Sequence, residues 1–263
     1  MENRIKPFKT LDEQLDYLTT DKNIDFKQFE NPRQILFDNN YYNLVSSGKI
    51  KFAREVREKK HDYNVSNFID WVSYFENDCR LNEHLMVNIL AFERVINSRT
   101  AYLVSELIAG SMLSSSELES LIHSIQGKKN YTNYQGVNTW EHITKKTFGE
   151  LRNIIKWLWR NRRKDIVAQI IEGYPFLNAY TLKMLDELVN LRNNCFHFRP
   201  INIYLAYGNT LQYNSQFSTR KKIVEAMYFQ MPCETVKPYM IEIFRNVKKF
   251  IDIKNSQYPL TEI

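Results

Sequence analysis

A stretch of more than forty residues that begins at Ser66 carries apolar side chains at helical spacing: SNFIDWVSYFENDCRLNEHLMVNILAFERVINSRTAYLVSELIAG. This pattern predicts one long or one kinked helix. Its expected buried stripe consists of Phe68, Trp71, Val72, Phe75, Leu85, Ile89, Phe92, Val95 and Ile96. Only seven glycines and seven prolines interrupt the 263 residues, which favours long helices over a sandwich or barrel of short strands. We therefore expect an all-α fold.

Shorter helical patterns lie on both sides of this stretch. TLDEQLDYLTT, with Thr10 as its N-cap, and NPRQILFDNNYYNLVSS, with Pro32 in its first turn, predict a small N-terminal helical subdomain in residues 1–65. The charged segment KFAREVREKKHDYN is expected to be a solvated linker or helix surface. Residues 66–263 should form a second helical domain, with a polar excursion at residues 110–147. The last helix of that domain is expected to bury Phe244, Val247, Phe250 and Ile251.

Charge and cysteine content limit the possible partners and cofactors. Lysine and arginine outnumber aspartate and glutamate by 36 to 30, and the net charge of +6 favours a polyanionic partner. The three cysteines include no C-x-x-C pair, which argues against a disulfide framework and a zinc site and fits a reducing cytosol. Because the sequence has neither metal-ligand spacing nor a glycine-rich phosphate loop, we expect no metal and no cofactor. It also lacks a signal-like segment and an 18-residue apolar run, so we expect a cytoplasmic chain without a membrane span.

The segment LVNLRNNCFHFRP concentrates polar side chains at the end of a predicted helix. On a helical wheel, one polar stripe contains Asp186, Asn190, Asn193 and His197. Arg192 lies instead in the apolar arc, which contains Met184, Leu185, Leu188, Val189, Cys195 and Phe196. A guanidinium among apolar neighbours needs an anion or a polar cleft. Arg192 is therefore either a catalytic group or the partner of a structural salt bridge to Glu93 or Asp186.

The spacing of Arg192 and His197 satisfies an R-N-x-x-x-H pattern. An R-x4-6-H match alone is weak, because Arg54 and His61 satisfy it within a charged surface run. The asparagine after Arg192 makes a chance match roughly ten times rarer in this chain. Asn193 could then orient His197 as a general base, and the alternative is a histidine that stabilises the C-terminus of the helix.

A second candidate is the basic segment KWLWRNRRK, which includes two tryptophans. Its cations could bind the phosphates of single-stranded RNA while its indoles stack on bases. The cations concerned are Lys156, Arg160, Arg162, Arg163 and Lys164. The alternative is an amphipathic helix that buries Trp157 or Trp159.

Four segments in order resemble the Abi-like family of bacterial abortive-infection proteins, of the AbiD/AbiF type, within the HEPN superfamily of helical ribonucleases. ILFDNNYYNLV is similar to the family's Asn-Tyr-Tyr-x-Leu segment, and FENDCRLNEHLMVNILAFERVINSR to its helix of the form F-x-x-D-x-x-L-R…E-x-x-x-R. TFGELRNIIKWL resembles its Ser-Phe-Gly-x-Leu element, and LVNLRNNCFH its L-x-x-L-R-N-x-C-A-H signature. The chain departs from the pattern at Phe198, where relatives often have a second histidine.

The resemblance implies an HEPN-like helical bundle that cleaves RNA without metal. Arg192 and His197 would be catalytic with Asn193 in support, commonly in a homodimer that brings two motifs together. It also implies an anti-phage abortive-infection toxin under the control of an antitoxin RNA or protein. RNA and not DNA is the expected substrate, because the nucleophile is the 2′-hydroxyl.

Two other hypotheses remain open at this stage. The first is a catalytically silent HEPN module that binds a structured RNA or a protein partner through the same basic surface. The second is a helix-turn-helix DNA binder in residues 11–45, which is disfavoured because those helices are acidic as often as basic.

Overall fold

The fold is all-α, as the sequence predicted. The computed structural model describes residues 9–56, 61–63, 66–126, 139–177, 181–206 and 213–257. The α-helices in these ranges are α1 (Leu11–Thr20), α2 (Pro32–Asn39), α3 (Tyr41–Phe52), α4 (Phe68–Ala109), α5 (Ser115–Gln126), α6 (Thr139–Thr144), α7 (Phe148–Arg160), α8 (Lys164–Ile170), α9 (Thr181–Phe196), α10 (Ile201–Ala206), α11 (Tyr213–Tyr228) and α12 (Lys237–Gln257). A 3-10 turn covers Pro175–Leu177.

Two short pairs of strands accompany the helices. β1 (Ile24–Asp25) lies parallel to β4 (Ser66–Asn67), and β2 (Ala53–Val56) lies antiparallel to β3 (His61–Tyr63). In the described part of the charged segment, the expectation of a linker or helix surface is therefore wrong, because residues 53–56 and 61–63 form paired strands. Ala53 and Tyr63 are buried, and the Tyr63 ring meets the Trp71 ring edge-on at 5.2 Å. These two residues are buried although most of the segment around them is charged.

The long helical pattern forms a single α-helix of 42 residues, Phe68–Ala109. All of its predicted stripe residues are buried except Val95, which is half-buried. The four predicted inward residues of α12 are buried as well. Periodicity was sufficient in these helices because apolar side chains three and four residues apart share one face.

Polar residues and proline fix the start of several helices. Thr10 forms a capping box with Glu13 at α1, and Thr147 forms one with Glu150 at α7. Pro32 occupies the first turn of α2, as predicted. Within the predicted polar excursion at residues 110–147, the described part contains α5 and α6, and residues 127–138 lie outside the described ranges.

Contacts group the chain into two compact units. The terminal unit comprises Met1–Leu85, Asn194–Lys221 and Pro232–Ile263, and the central unit comprises Met86–Asn193 and Lys222–Met231. Each unit combines segments from different parts of the sequence, whereas the predicted domains were continuous. The predicted domain boundary after residue 65 therefore stays a prediction.

The core of the terminal unit is rich in aromatic residues. Phe52 stacks on Trp71 with ring centroids 5.0 Å apart, and Tyr74 meets Tyr239 edge-on at 5.3 Å. Gly48 of α3 lies directly against the Trp71 indole, where a Cβ atom would collide with the ring. Glycine at this position therefore allows α3 to pack closely on α4.

The core of the central unit is built around Phe92 of α4. Its ring meets Phe148 of α7 edge-on at 5.9 Å and Tyr174 at 4.6 Å. The Nη1 group of Arg99 donates hydrogen bonds to the carbonyl oxygens of Ile170 and Glu172, at 3.2 and 2.6 Å. These bonds satisfy carbonyl groups at the C-terminal end of α8, which have no partner within the helix.

Candidate functional site

Helix α9 ends in a turn that brings the candidate residue His197 and its neighbour Phe198 to the surface. Phe198 has a left-handed backbone, with φ of +49°. The Phe198 N–H donates to the Cys195 carbonyl and the Arg199 N–H donates to the Asn194 carbonyl, both at 3.0 Å. This pair of bonds is the Schellman motif, in which the left-handed position is usually glycine. His197 and Phe198 are both exposed as a result.

Two asparagine amides hold this turn in place within the terminal unit. The Nδ2 group of Asn194 donates to the Arg199 carbonyl at 2.8 Å, and the Nδ2 group of Asn82 donates to the same oxygen at 2.9 Å. Asn82 belongs to α4 and is buried. The turn that carries His197 is therefore fixed to the core of the terminal unit by side chains as well as by the backbone.

Arg192 is held by an anion in the central unit. Its Nε atom lies 3.6 Å from Oε2 of Glu93 on α4, and the two side chains are 23% and 15% exposed. Its Nη1 group donates to Oδ1 of Asn193 at 3.4 Å. The prediction that Arg192 needs an anionic partner is confirmed, and of the two predicted anions it is Glu93. Asp186 instead pairs with Arg152 and Lys156 of α7, at 3.3 and 2.7 Å.

An open pocket of about 360 Å³ adjoins the partner of Arg192. It is lined by Leu90, Glu93, Arg94, Asn97, Ser98 and Thr144. One wall is the face of α4 that carries Glu93, so the carboxylate that pairs with Arg192 lies at the edge of this open pocket of the central unit.

The basic segment at the end of α7 is not one continuous helix. Arg162 adopts a left-handed backbone with φ of +61°, and the Arg163 N–H donates to the Leu158 carbonyl at 2.9 Å. This turn separates α7 from α8. The side chains of Arg160, Arg162 and Lys164 are exposed. Lys164 also lies over the Trp159 ring, with its Nζ atom 5.1 Å from the ring centroid.

The other two predicted cations of this segment are bound within the fold. Lys156 donates to Asp186 at 2.8 Å, while Arg163 donates to the Met112 carbonyl at 3.0 Å and lies 3.7 Å from Glu117. Trp157 is buried and donates its indole N–H to Ser120 Oγ at 2.8 Å. The alternative prediction of an amphipathic helix that buries one indole is therefore confirmed for α7.

A family model described as Abi-like protein matches residues 34–201, which is more than half of the chain and includes α4, α7 and α9. The chain belongs to the Abi-like protein family. Membership suggests a role in abortive-infection defence, and the match includes Arg192, Asn193 and His197. No curated protein and no solved structure matches the chain significantly.

Asp78 of this Abi-like protein is a buried carboxylate that the sequence pattern did not predict to be important. Asp78 accepts hydrogen bonds from the backbone N–H groups of Ile201 and Asn202, at 2.6 and 3.2 Å, and from the Tyr239 hydroxyl at 3.0 Å. It thereby satisfies the N-terminus of α10, and its burial raises its pKa to about 7. Its burial could have been predicted from its position three residues after Phe75, on the predicted buried face of the long helix.

One member of the predicted apolar arc of α9 is placed differently. Phe196 is 46% exposed, although the helical wheel places it in the apolar arc. It is the last residue of α9, where the helix no longer follows the packed face. The end of α9 in this Abi-like protein thus carries exposed aromatic rings on both sides of His197.

The predicted lack of metal dependence is not tested by the fold of this Abi-like protein. Within the described ranges, no three His, Cys, Asp or Glu side chains form a cluster that could hold a metal ion. In those same ranges, every helix is too short or too polar to cross a membrane.

Proposed function

We propose that this Abi-like protein is a metal-independent RNA endonuclease of the HEPN type that acts as an anti-phage abortive-infection toxin. The observation that carries the proposal is the end of α9, where an anion holds Arg192 and a fixed turn exposes His197. An arginine held in place and an accessible imidazole are what this chemistry requires. Family membership supports the abortive-infection role.

In the proposed reaction, a 2′-hydroxyl attacks the adjacent phosphorus. The new bond joins O2′ to phosphorus, the bond to O5′ breaks, and the products are a 2′,3′-cyclic phosphate and a 5′-hydroxyl. His197 takes the proton from O2′ or returns one to O5′, which an imidazole can do at cellular pH. Arg192 stabilises the charge on the phosphate oxygens, and Asn193 supports its guanidinium through the contact at 3.4 Å.

A homodimer would supply the second proton-transfer group. A single imidazole cannot accept and donate a proton in the same instant, and the family signature's second histidine is replaced by Phe198. Two protomers that bring their motifs together would provide two imidazoles. We therefore propose a cytoplasmic homodimer that needs neither metal nor cofactor, with an antitoxin RNA or protein as its control.

The RNA-binding surface in this proposal is the α7–α8 turn. The exposed Arg160, Arg162 and Lys164 would contact phosphates directly. Lys156 and Arg163, which are bound to Asp186 and Glu117, would position the turn.

The test compares two exposed histidines. His197→Ala should reduce cleavage of a single-stranded RNA at least about 100-fold, because a general acid or base contributes that much. His142→Ala, which removes the exposed histidine of α6, should cleave as the wild type does. Expression of the wild type and of His142→Ala should arrest bacterial growth, and His197→Ala should not. Undiminished cleavage by His197→Ala would refute the proposal.

A catalytically silent module is the second candidate, and the Arg192–Glu93 ion pair favours it. A half-buried arginine with its own anion can be purely structural. This candidate predicts RNA or protein binding that survives His197→Ala, with no cleavage product from the wild type.

A further inference from the structure

The backbone at Phe198 is in a conformation that disfavours its side chain. Five non-glycine residues of the described ranges have positive φ, and Phe198 is the one aromatic residue among Asn23, Asn40, Ser111, Arg162 and Phe198. Asparagine tolerates the left-handed region because its short amide bonds locally, but a bulky Cβ substituent is strained there. Glycine would close the same Schellman motif without this cost.

Burial does not compensate for the strain. The Phe198 side chain is 69% exposed, so the fold gains little from its ring. Strained residues in folded proteins are concentrated at functional sites, where the side chain itself is required. An exposed phenylalanine at this position therefore points to a ligand outside the chain.

The charge beside Phe198 and its exposed ring together favour a ligand that carries both negative charge and a flat ring. Phe198 lies between His197 and Arg199, which are both exposed. Arg199 supplies an exposed positive charge directly beside the ring. The asparagine amides of Asn82 and Asn194 fix the turn through the Arg199 carbonyl, so the ring is presented from a rigid support. A phosphate beside a stackable base satisfies both the charge and the aromatic surface.

The central unit has a comparable left-handed residue at Arg162. There, too, a helix ends in a left-handed residue that is not glycine and whose long side chain is exposed. Arg162 already belongs to the proposed RNA-binding surface. At both helix ends, a residue suited to nucleic-acid binding occupies a position that would be more stable with glycine.

We propose that Phe198 stacks on a nucleobase of single-stranded RNA next to the phosphate that His197 acts on; this inference rests on the proposed function. Phe198 is thus a substrate-positioning residue in the place where relatives often carry a second histidine. Stacking is tolerant of base identity, because every base has a π-face.

The test removes the ring without risk to the fold. Phe198→Gly relieves the backbone strain, so its Tm should equal or exceed that of the wild type. RNA affinity is measured in the His197→Ala background, with a fluorescent single-stranded oligonucleotide that cannot then be cut. Phe198→Gly should weaken binding roughly 5-fold to 150-fold, and Phe198→Tyr should retain it. Phe37→Ala, which removes a phenylalanine that is 70% exposed on α2, is the matched control and should change nothing.

A second arm identifies the base as the contact. Oligonucleotides with one abasic position should bind the wild-type Phe198 chain more weakly, and the same lesion should have no further effect in Phe198→Gly.

Unchanged RNA affinity in Phe198→Gly, with the Phe37→Ala control chain binding RNA, would overturn the stacking role alone. If Phe198→Gly instead changed the oligomeric mass and not the RNA affinity, the ring would be a protein contact. A chain that binds no RNA at all would remove both this inference and the proposed function.

Discussion

The two residues of the R-N-x-x-x-H pattern have contrasting environments. Arg192 is half-buried and has a carboxylate 3.6 Å away, whereas His197 is exposed on a turn. An arginine that stabilises a phosphate must be placed accurately, and an imidazole that exchanges protons must be reached by substrate. The same contacts place Arg192 whether its role is catalytic or structural, so variants are needed to separate the two.

The Glu93 carboxylate should contribute to stability through Arg192. Glu93→Gln keeps the shape of the side chain but removes the carboxylate charge next to the guanidinium. We expect the free energy of unfolding to fall by about 1 to 2 kcal/mol, discounted for partial exposure of the pair. Urea denaturation measures this change, and Glu83→Gln, at an exposed position of the same helix, is the control. Equal midpoints for both variants would show that the ion pair is not stabilising.

Asp78 should make the stability of the protein depend on pH. Burial raises its pKa from 3.8 to about 7, so the folded protein holds this proton more tightly than the unfolded chain does. Its contribution to stability is therefore greatest at acidic pH and is lost as the pH rises towards 7. From pH 5 to pH 8, the wild type should lose about 2 kcal/mol of stability relative to Asp78→Asn, which has no proton to release. Urea titrations at both pH values test this, and a constant difference would contradict it.

At the scale of elements, the turn between α7 and α8 has three exposed cations, Arg160, Arg162 and Lys164. The triple variant Arg160→Ala, Arg162→Ala and Lys164→Ala should weaken RNA binding and reduce the slope of log affinity against log salt by about 2, at roughly 0.7 for each lost phosphate contact. The matched control is the triple variant Arg245→Ala, Lys248→Ala and Lys249→Ala, which removes three exposed cations from α12. A salt titration of fluorescence anisotropy measures both slopes. Equal slopes for the triple variant and the wild type would exclude this turn from the RNA surface.

The sequence predicted those elements whose apolar residues follow a helical period. This holds for α4 and α12, since a buried face repeats every three or four residues. It also predicted that Arg192 needs an anion, because the guanidinium cannot lose its charge.

The turns and long-range contacts could not be predicted in the same way. The left-handed turns at Arg162 and Phe198 carry no glycine, so the usual signal of a helix end is absent. The bonds of Asp78 to Ile201 and of Asn82 to Arg199 join residues more than a hundred positions apart, which a local pattern does not encode.

At the scale of the whole molecule, the proposed chemistry calls for two chains. If two protomers share one composite site, the active species has twice the chain mass of 31.5 kDa. Light scattering on a size-exclusion column should show this mass, and the cleavage rate per chain should rise with protein concentration until the dimer is saturated. A monomer with a concentration-independent rate would show that each chain carries its own complete site.

The central claim is that this Abi-like protein cuts RNA by attack of the 2′-hydroxyl, through Arg192 and His197 and without metal. The most direct measurement is the chemistry of the cut ends after incubation of an RNA oligonucleotide with the protein in excess chelator. We predict 2′,3′-cyclic phosphate and 5′-hydroxyl ends from the wild type, at least about 100-fold less product from Arg192→Ala or His197→Ala, and no cut where the attacking nucleotide is 2′-deoxy. Intact RNA with the wild type, or equal cleavage by His197→Ala, would contradict the claim.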